Sequence, residues 1–176
     1  MTALLSVKKL KVKFQSDASE IIAVDGINFE IKKGEVLALV GESGSGKSVS
    51  ALSILSLLPK NAKISGSVKL QGNELVGSSQ KELRRVSGSQ VSYIFQEPMT
   101  SLNPLHTIEK QLREAVELHS ATLSNNVKDY IVELLVRVGI DNPRQRLNAY
   151  PHQLSGGQRQ RVMIATVSYT HLRAHE

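Results

Sequence analysis

Cysteine is absent from the chain, which excludes disulfides and any metal or iron–sulfur centre held by thiolates. Aromatic residues make up only 4% of it. They do not interleave with the basic residues, so a net charge of +6 and a pI near 9.6 come without the stacking platform that single-stranded nucleic acid requires. The positive side chains are dispersed along the sequence and read as solvated surface, so no nucleic-acid partner is expected. Long apolar runs are also missing. The longest uncharged one, between Lys47 and Lys60, is too short to cross a bilayer. The first residues do not form a signal peptide, because Met1–Leu5 meets Lys8, Lys9, Lys11 and Lys13 at once. There is no internal repeat, sustained heptad pattern or low-complexity tract. What remains is a cytoplasmic chain of 176 residues, sized for one domain or a piece of a larger one, with 40% hydrophobic residues to build a core.

Against those absences stands GESGSGKS at 41–48. It fits the phosphate-loop pattern of Gly, four residues, Gly-Lys and then Ser or Thr. Glycines let successive N–H groups turn inward on a phosphate; Lys47 reaches the outer phosphates and the Ser48 hydroxyl takes Mg²⁺. The flanks agree with the pattern. Residues 36–40, VLALV, predict a buried parallel strand, and Val49, Leu52, Leu55 and Leu58 predict a helix that runs to Pro59.

Upstream, Leu10, Val12 and Phe14 alternate with lysines, and Ile27, Phe29 and Ile31 alternate before a tight turn at 32–35. These predict an antiparallel β layer joined by a polar turn over 15–20. Phe14 is either an adenine-stacking aromatic or a core residue of its strand. Downstream, a β segment spans 60–72, a short basic helix 81–86, and a second buried strand 91–95. Pro98 and Pro104 impose irregular structure. Amphipathic helices follow at 107–119 and from about Asn125, the second capped by Ser124 and stopped at Gly139. Then comes LSGGQRQR at 154–161, in which a capping Ser155 and two glycines precede a helix, a second anion site of the helix-N-terminus type.

Taken together and in this order, GESGSGKS, YIFQEP at 93–98 and LSGGQRQR resemble the Walker A loop, Q-loop and signature motif of the ABC ATPases. The match extends to about Ala165. The stretch QEPMTSLNPLH at 96–106 further resembles the importer subgroup that energises uptake of dipeptides, oligopeptides and nickel. The resemblance implies an α/β fold: a P-loop NTPase (ABC ATPase) core with an N-terminal antiparallel β layer, an α-helical subdomain at about 99–165, and a central sheet left incomplete. It implies ATP and Mg²⁺ as ligands. Gly41, Ser43, Gly44, Ser45, Gly46, Lys47 and Ser48 would hold the nucleotide, with Ser48 and Gln96 at the Mg²⁺ and Gln96 sensing the γ-phosphate. Ser155, Gly156, Gly157 and Gln158 would touch ATP bound by a second ABC ATPase subunit, a twin or a paralogue. The other implied partners are integral-membrane permease subunits, and through them an extracytoplasmic substrate-binding protein. The implied place is the cytoplasmic face of the membrane.

The family also needs an apolar strand ending in Asp and Glu after the signature helix, and later a switch histidine. None follows Ala165 in these 176 residues. Residues 168–176, SYTHLRAHE, resemble translated adaptor sequence, so 1–165 reads as the N-terminal part of the nucleotide-binding domain and 166–176 as a non-native tail. His171 and His175, beside Glu176, have zinc-like spacing but no ordering context. Two other functions compete with an importer subunit. The first is a soluble ABC ATPase acting on nucleic acid or ribosomes. The lack of a long coiled coil between Ser48 and Leu154 counts against its DNA-repair type, and the Met99–His106 segment favours a permease. The second is a nucleotide-binding regulator without transport.

Overall fold

The computed structural model of the chain describes residues 3–16, 19–95, 102–119 and 126–168. It divides into two compact units, Met1–Arg85 and Val86–Glu176.

The first unit is built on a four-stranded antiparallel sheet of β1 (Leu5–Gln15), β2 (Glu20–Ile31), β3 (Ala62–Leu70) and β4 (Asn73–Glu74), in the order β2-β1-β3-β4. The expected β layer is therefore present, and β1 begins earlier than its alternation indicates. Leu5 and Val7 are buried, and so are Leu10 and Val12, which puts the phase slip at Lys8-Lys9. Bulges shift the register of β1 at this point against both neighbours. Lys9 takes φ 49°, its N–H donates to Asn28 Oδ1 at 2.8 Å, and Gly66 lies opposite, where a Cβ would collide with the Lys9 carbonyl. The extra residue returns Leu10 and Val12 to the buried face, where Val12 pairs with Val24 and Ile64.

Helix α1 (Lys47–Ile54) is shorter than the apolar spacing predicts. Ser56 adopts φ 52° and donates to the Ser53 carbonyl, while Leu57 N–H reaches back to the Leu52 carbonyl at 2.9 Å. This is a Schellman stop with serine where glycine is usual, so the end falls before Pro59. Helix α2 (Gln80–Val86) matches the expected basic helix. It is closed by a capping box in which Ser79 N–H donates to Glu82 Oε2 at 2.8 Å and Glu82 N–H to Ser79 Oγ at 3.3 Å.

Two expectations are corrected. Residues 36–40 form no strand; Val36 is 94% and Val40 88% exposed. Residues 91–95 contribute only an isolated parallel bridge, Ser87 to Val91, and Ile94 and Phe95 are exposed. A parallel strand exists only when hydrogen-bonded to neighbours and covered on both faces. Among the described residues neither run has such neighbours.

The second unit is helical. It comprises α3 (Ile108–His119), α4 (Val127–Arg137), the short α5 (Pro143–Arg146), a single 3₁₀ turn (Pro151–Gln153) and α6 (Gly156–Ser168). Ile108, Leu112 and Val116 of α3 and Ile131, Leu134 and Leu135 of α4 form its core with Leu147, Leu154, Val162 and Ala165. This is the apolar stripe that the helical spacing predicts. Gly139, at φ 74°, ends α4 as expected. Asn126 precedes α4 without a side-chain cap, and Ser124 lies outside the described residues.

Ile131→Ala should destabilise the second unit by about 2–5 kcal/mol, read as a lowered denaturation midpoint. In the first unit Glu74 gives a pH test. Desolvation opposes its ionisation, but hydrogen bonds from Ser67 Oγ and the N–H groups of Val68, Val76 and Leu75 outweigh it and hold the carboxyl below its ordinary 4.5. A depressed folded-state pKa gives stability that is present above 4.5 and lost as pH falls through the folded value. The melting temperature of Glu74→Gln should therefore fall less steeply than that of the parent as pH drops below 4.5.

Candidate functional site

The 41–48 loop leads directly into α1, whose N-cap is Gly46 in the left-handed conformation at φ 86°. Gly46 is required twice over. Its φ disfavours a side chain, and a Cβ would lie 2.5 Å from the Ala23 carbonyl oxygen and 3.4 Å from Val24 Cγ2. Ala23 is where the β1–β2 register slips, between the pairs Val12–Val24 and Lys13–Ile22. The bulge in β2 thus presents its carbonyl to the start of α1 and seats the loop on the sheet.

No side chain caps α1 at Gly46, and no acidic residue lies in its first turn. The N–H groups there keep their partial positive charge facing outward. Lys47 crosses the loop. Its Nζ donates to the carbonyls of Gly41 at 2.9 Å and Glu42 at 2.6 Å, and to Ser45 Oγ at 3.3 Å. The ammonium is thereby held over the loop by neutral acceptors, ready to exchange them for anionic ones. Ser45 N–H turns back to the Glu42 carbonyl, Gly44 is left-handed at φ 82°, and Ser43 and Ser48 are exposed. The structure brings all seven predicted loop residues together at one helix start.

Phe14 lies on β1 opposite Ile21 and Ala62, half-buried. It shares a sheet face with Val12, whose partner Val24 touches the Gly46 position. The partner of Phe14, Ile21, is 60% exposed on the same face, while Ile22, paired with Lys13, points to the other face. Both readings of Phe14 fit that position.

The second anion site has another construction. Ser155 caps α6: Gln158 N–H donates to Ser155 Oγ at 3.2 Å, and Ser155 N–H donates to Gln158 Oε1 at 3.0 Å. Gly156 and Gly157 are exposed, neither has positive φ, and a Cβ on either would meet nothing within 4 Å. Neither backbone conformation nor packing among the described residues demands glycine there. The lead-in is held by side chains: Tyr150 N–H donates to Gln153 Oε1 at 2.8 Å, and Arg159 Nε to the Leu154 carbonyl at 3.0 Å. The pattern S-x-x-Q at 155–158 was a readable signal of this box; the fold-back of Lys47 and the bulge at Ala23 had none.

Gln96 lies outside the described residues, as do His171, His175 and Glu176. Among the described residues no cluster of three or more His, Asp or Glu side chains is arranged for a metal. Nor is any helix among them long and apolar enough to cross a membrane.

Three comparisons bear on these sites. The sequence profile of the family described as ABC transporter matches residues 24–173. The chain is 54% identical over 164 residues to the peptidoglycan transport ATP-binding protein YejF of Agrobacterium fabrum, covering 92% of this chain and 30% of that protein. It is 46% identical over 164 residues to the dipeptide transport ATP-binding protein DppD of Escherichia coli, covering 93% of this chain and 50% of that protein. Among solved structures it superposes on a dimeric ATP-binding cassette in a post-hydrolysis state bound to ADP and Pi, with TM-score 0.82 and 26% identity over 95% of this chain and 70% of that one. The chain thus spans half or less of the length of these two relatives.

The two glycine sites should respond oppositely to alanine. Gly46→Ala forces a left-handed alanine into the Ala23 carbonyl and should cost about 1–3 kcal/mol. Gly156→Ala should leave stability unchanged or slightly raised, since helix propensity favours Ala over Gly by about 1 kcal/mol. Thermal unfolding of the two variants checks both.

Proposed function

Because the chain belongs to the ABC transporter family, we propose that it is the N-terminal part of an ATP-binding subunit that powers an importer of peptides. Residues 1–165 form that part of the nucleotide-binding domain, with the helical subdomain at about 99–165. In the whole protein, ATP binding and hydrolysis are coupled to uptake of di- or oligopeptides, or of nickel, through membrane permease subunits. The relatives' transport of dipeptides and peptidoglycan supports the peptide class. The subunit sits at the cytoplasmic face of the membrane, pairs with a second ATPase, and meets the substrate-binding protein only through the permease.

The observation that carries this reading is the start of α1, where a left-handed Gly46, uncapped N–H groups and no first-turn acid combine with the Lys47 ammonium held over the loop. That donor set fits the triphosphate of ATP: Gly41, Ser43, Gly44, Ser45 and Gly46 supply the backbone cradle and Lys47 the charge. The Ser48 hydroxyl and Gln96 hold Mg²⁺, which when bound neutralises charge on the outer phosphates. Phe14, beside the exposed Ile21 on its own face of the sheet, takes the adenine face. Ser155, Gly156, Gly157 and Gln158 belong to the site of the paired subunit. Glycine at 156 and 157, which nothing among the described residues requires, is explained by close approach of that subunit's nucleotide.

Residues 1–176 should bind ATP through this loop. Lys47→Ala removes charge-assisted hydrogen bonds of about 1.5–3 kcal/mol each, and should weaken ATP binding about 100-fold or more. A fluorescent-nucleotide titration checks both. Unchanged affinity in Lys47→Ala would contradict the assignment.

A further inference from the structure

We propose that the first unit carries a second ligand site, on the solvent face of its sheet, for a small carboxylate with an apolar body. No residue of the phosphate loop takes part, so the site stands apart from ATP binding. A pocket of about 460 Å³ opens where β1 begins and β2 and β3 end, within the size range of small-molecule sites. Ala3 and Leu4, both half-buried, line it together with the exposed Lys33, Lys69 and Gln71.

Three strands place its charges. Ser6 of β1 pairs with Lys69 of β3 on one side and Glu30 of β2 on the other. The three side chains therefore form a row on the face opposite the buried Leu5 and Leu70. Lys33 follows the end of β2 at Ile31. The neighbouring carboxylates are engaged. Glu74, the other cross-strand partner of Lys69, accepts from Ser67 Oγ and from the N–H groups of Val68 and Val76. Glu35 accepts the Lys32 N–H at 2.7 Å, and Glu30 accepts from Ser6 Oγ at 2.9 Å. Among the described residues neither Lys33 nor Lys69 forms an ion pair. Two ammonium groups and the one carboxylate of Glu30 leave a single excess positive charge, which a monoanion balances.

The backbone here is engaged within the sheet, unlike the start of α1. Leu4 N–H donates to the Ile31 carbonyl and Gln71 N–H to the Leu4 carbonyl, both at 2.8 Å. Recognition falls to side chains, and the lysine stems extend the apolar surface of Ala3 and Leu4. Gln71 and Gly72 close the β3–β4 hairpin with φ 49° and 88°. The first position of such a turn favours Asn, Asp or Gly. Gln71 is thus a longer side chain than the turn prefers, held in a strained conformation, and its carboxamide lines the pocket. The space above Gly72 is open, since a Cβ there would meet nothing within 4 Å.

Hexanoate is the probe, with hexanol and inorganic phosphate as comparisons, on the isotopically labelled chain of 176 residues. Hexanoate should shift the backbone amides of Leu4, Ser6, Lys33, Lys69 and Gln71 saturably and bind about fivefold more tightly than hexanol. Phosphate should leave those amides in place. Lys33→Gln and Lys69→Gln should each weaken hexanoate about two- to fivefold, with MgATP shifts at Gly41–Ser48 as in the parent. Gln71→Asn should melt no lower than the parent and yet bind hexanoate about threefold more weakly, which a purely structural role does not produce. Hexanol binding as tightly as hexanoate would overturn the proposal. So would phosphate shifting the same amides as strongly, or unchanged hexanoate binding when both lysines are replaced. The phosphate loop is read from separate amides, so either failure is distinguishable from failure of the nucleotide site.

Discussion

The first N–H groups of an α-helix have no acceptor inside the helix, and something must meet them. This chain answers that requirement in opposite ways at its two motif helices. At α1 the N-cap is a glycine, no side chain caps the first N–H groups, and the first turn holds no acid. At α6 a serine and a glutamine close on each other's backbone N–H groups. The first arrangement leaves the whole helix start to an anion. The second takes the N–H groups of Ser155 and Gln158 into the box.

The cradle depends in turn on the β layer. Gly46 can be left-handed and close to Ala23 only because β2 bulges there, and β2 lies where it does because β1 resets its phase at Lys9. The bulge at Lys8-Lys9 and the loop geometry are thus parts of one chain of constraints running through Val12 and Val24. On the other side of the loop the support is missing: residues 36–40 present apolar side chains to solvent, Val36 at 94% and Val40 at 88% exposure. Such a run is the kind that a parallel sheet covers on both faces.

The sequence made some of this readable and hid the rest for identifiable reasons. Alternation exposed β1, β2 and β3, and the 3.6-residue spacing exposed α3 and α4, because each of these elements buries one face against a neighbour within the chain. Residues 36–40 and 91–95 carry the same apolar signal, but a strand also needs hydrogen-bonded neighbours, which a local pattern cannot supply. The end of α1 was misread because Ser56 does the work expected of glycine. At the site, glycine and lysine at fixed offsets were legible since backbone conformation and charge set them locally. The contact of Gly46 with Ala23, 23 positions away in the chain, was not legible.

In the proposed function this chain contributes two separate halves of nucleotide sites, one used within the subunit and one across a pair. Backbone amide shifts on adding MgATP to the isotopically labelled chain test that most directly. At dilute protein concentration Gly44, Ser45, Gly46, Lys47 and Ser48 should shift while Ser155, Gly156 and Gly157 stay in place. The second group should respond only as the chain associates. Shifts at Ser155–Gly157 that match those of the loop in nucleotide dependence and ignore protein concentration would contradict the claim.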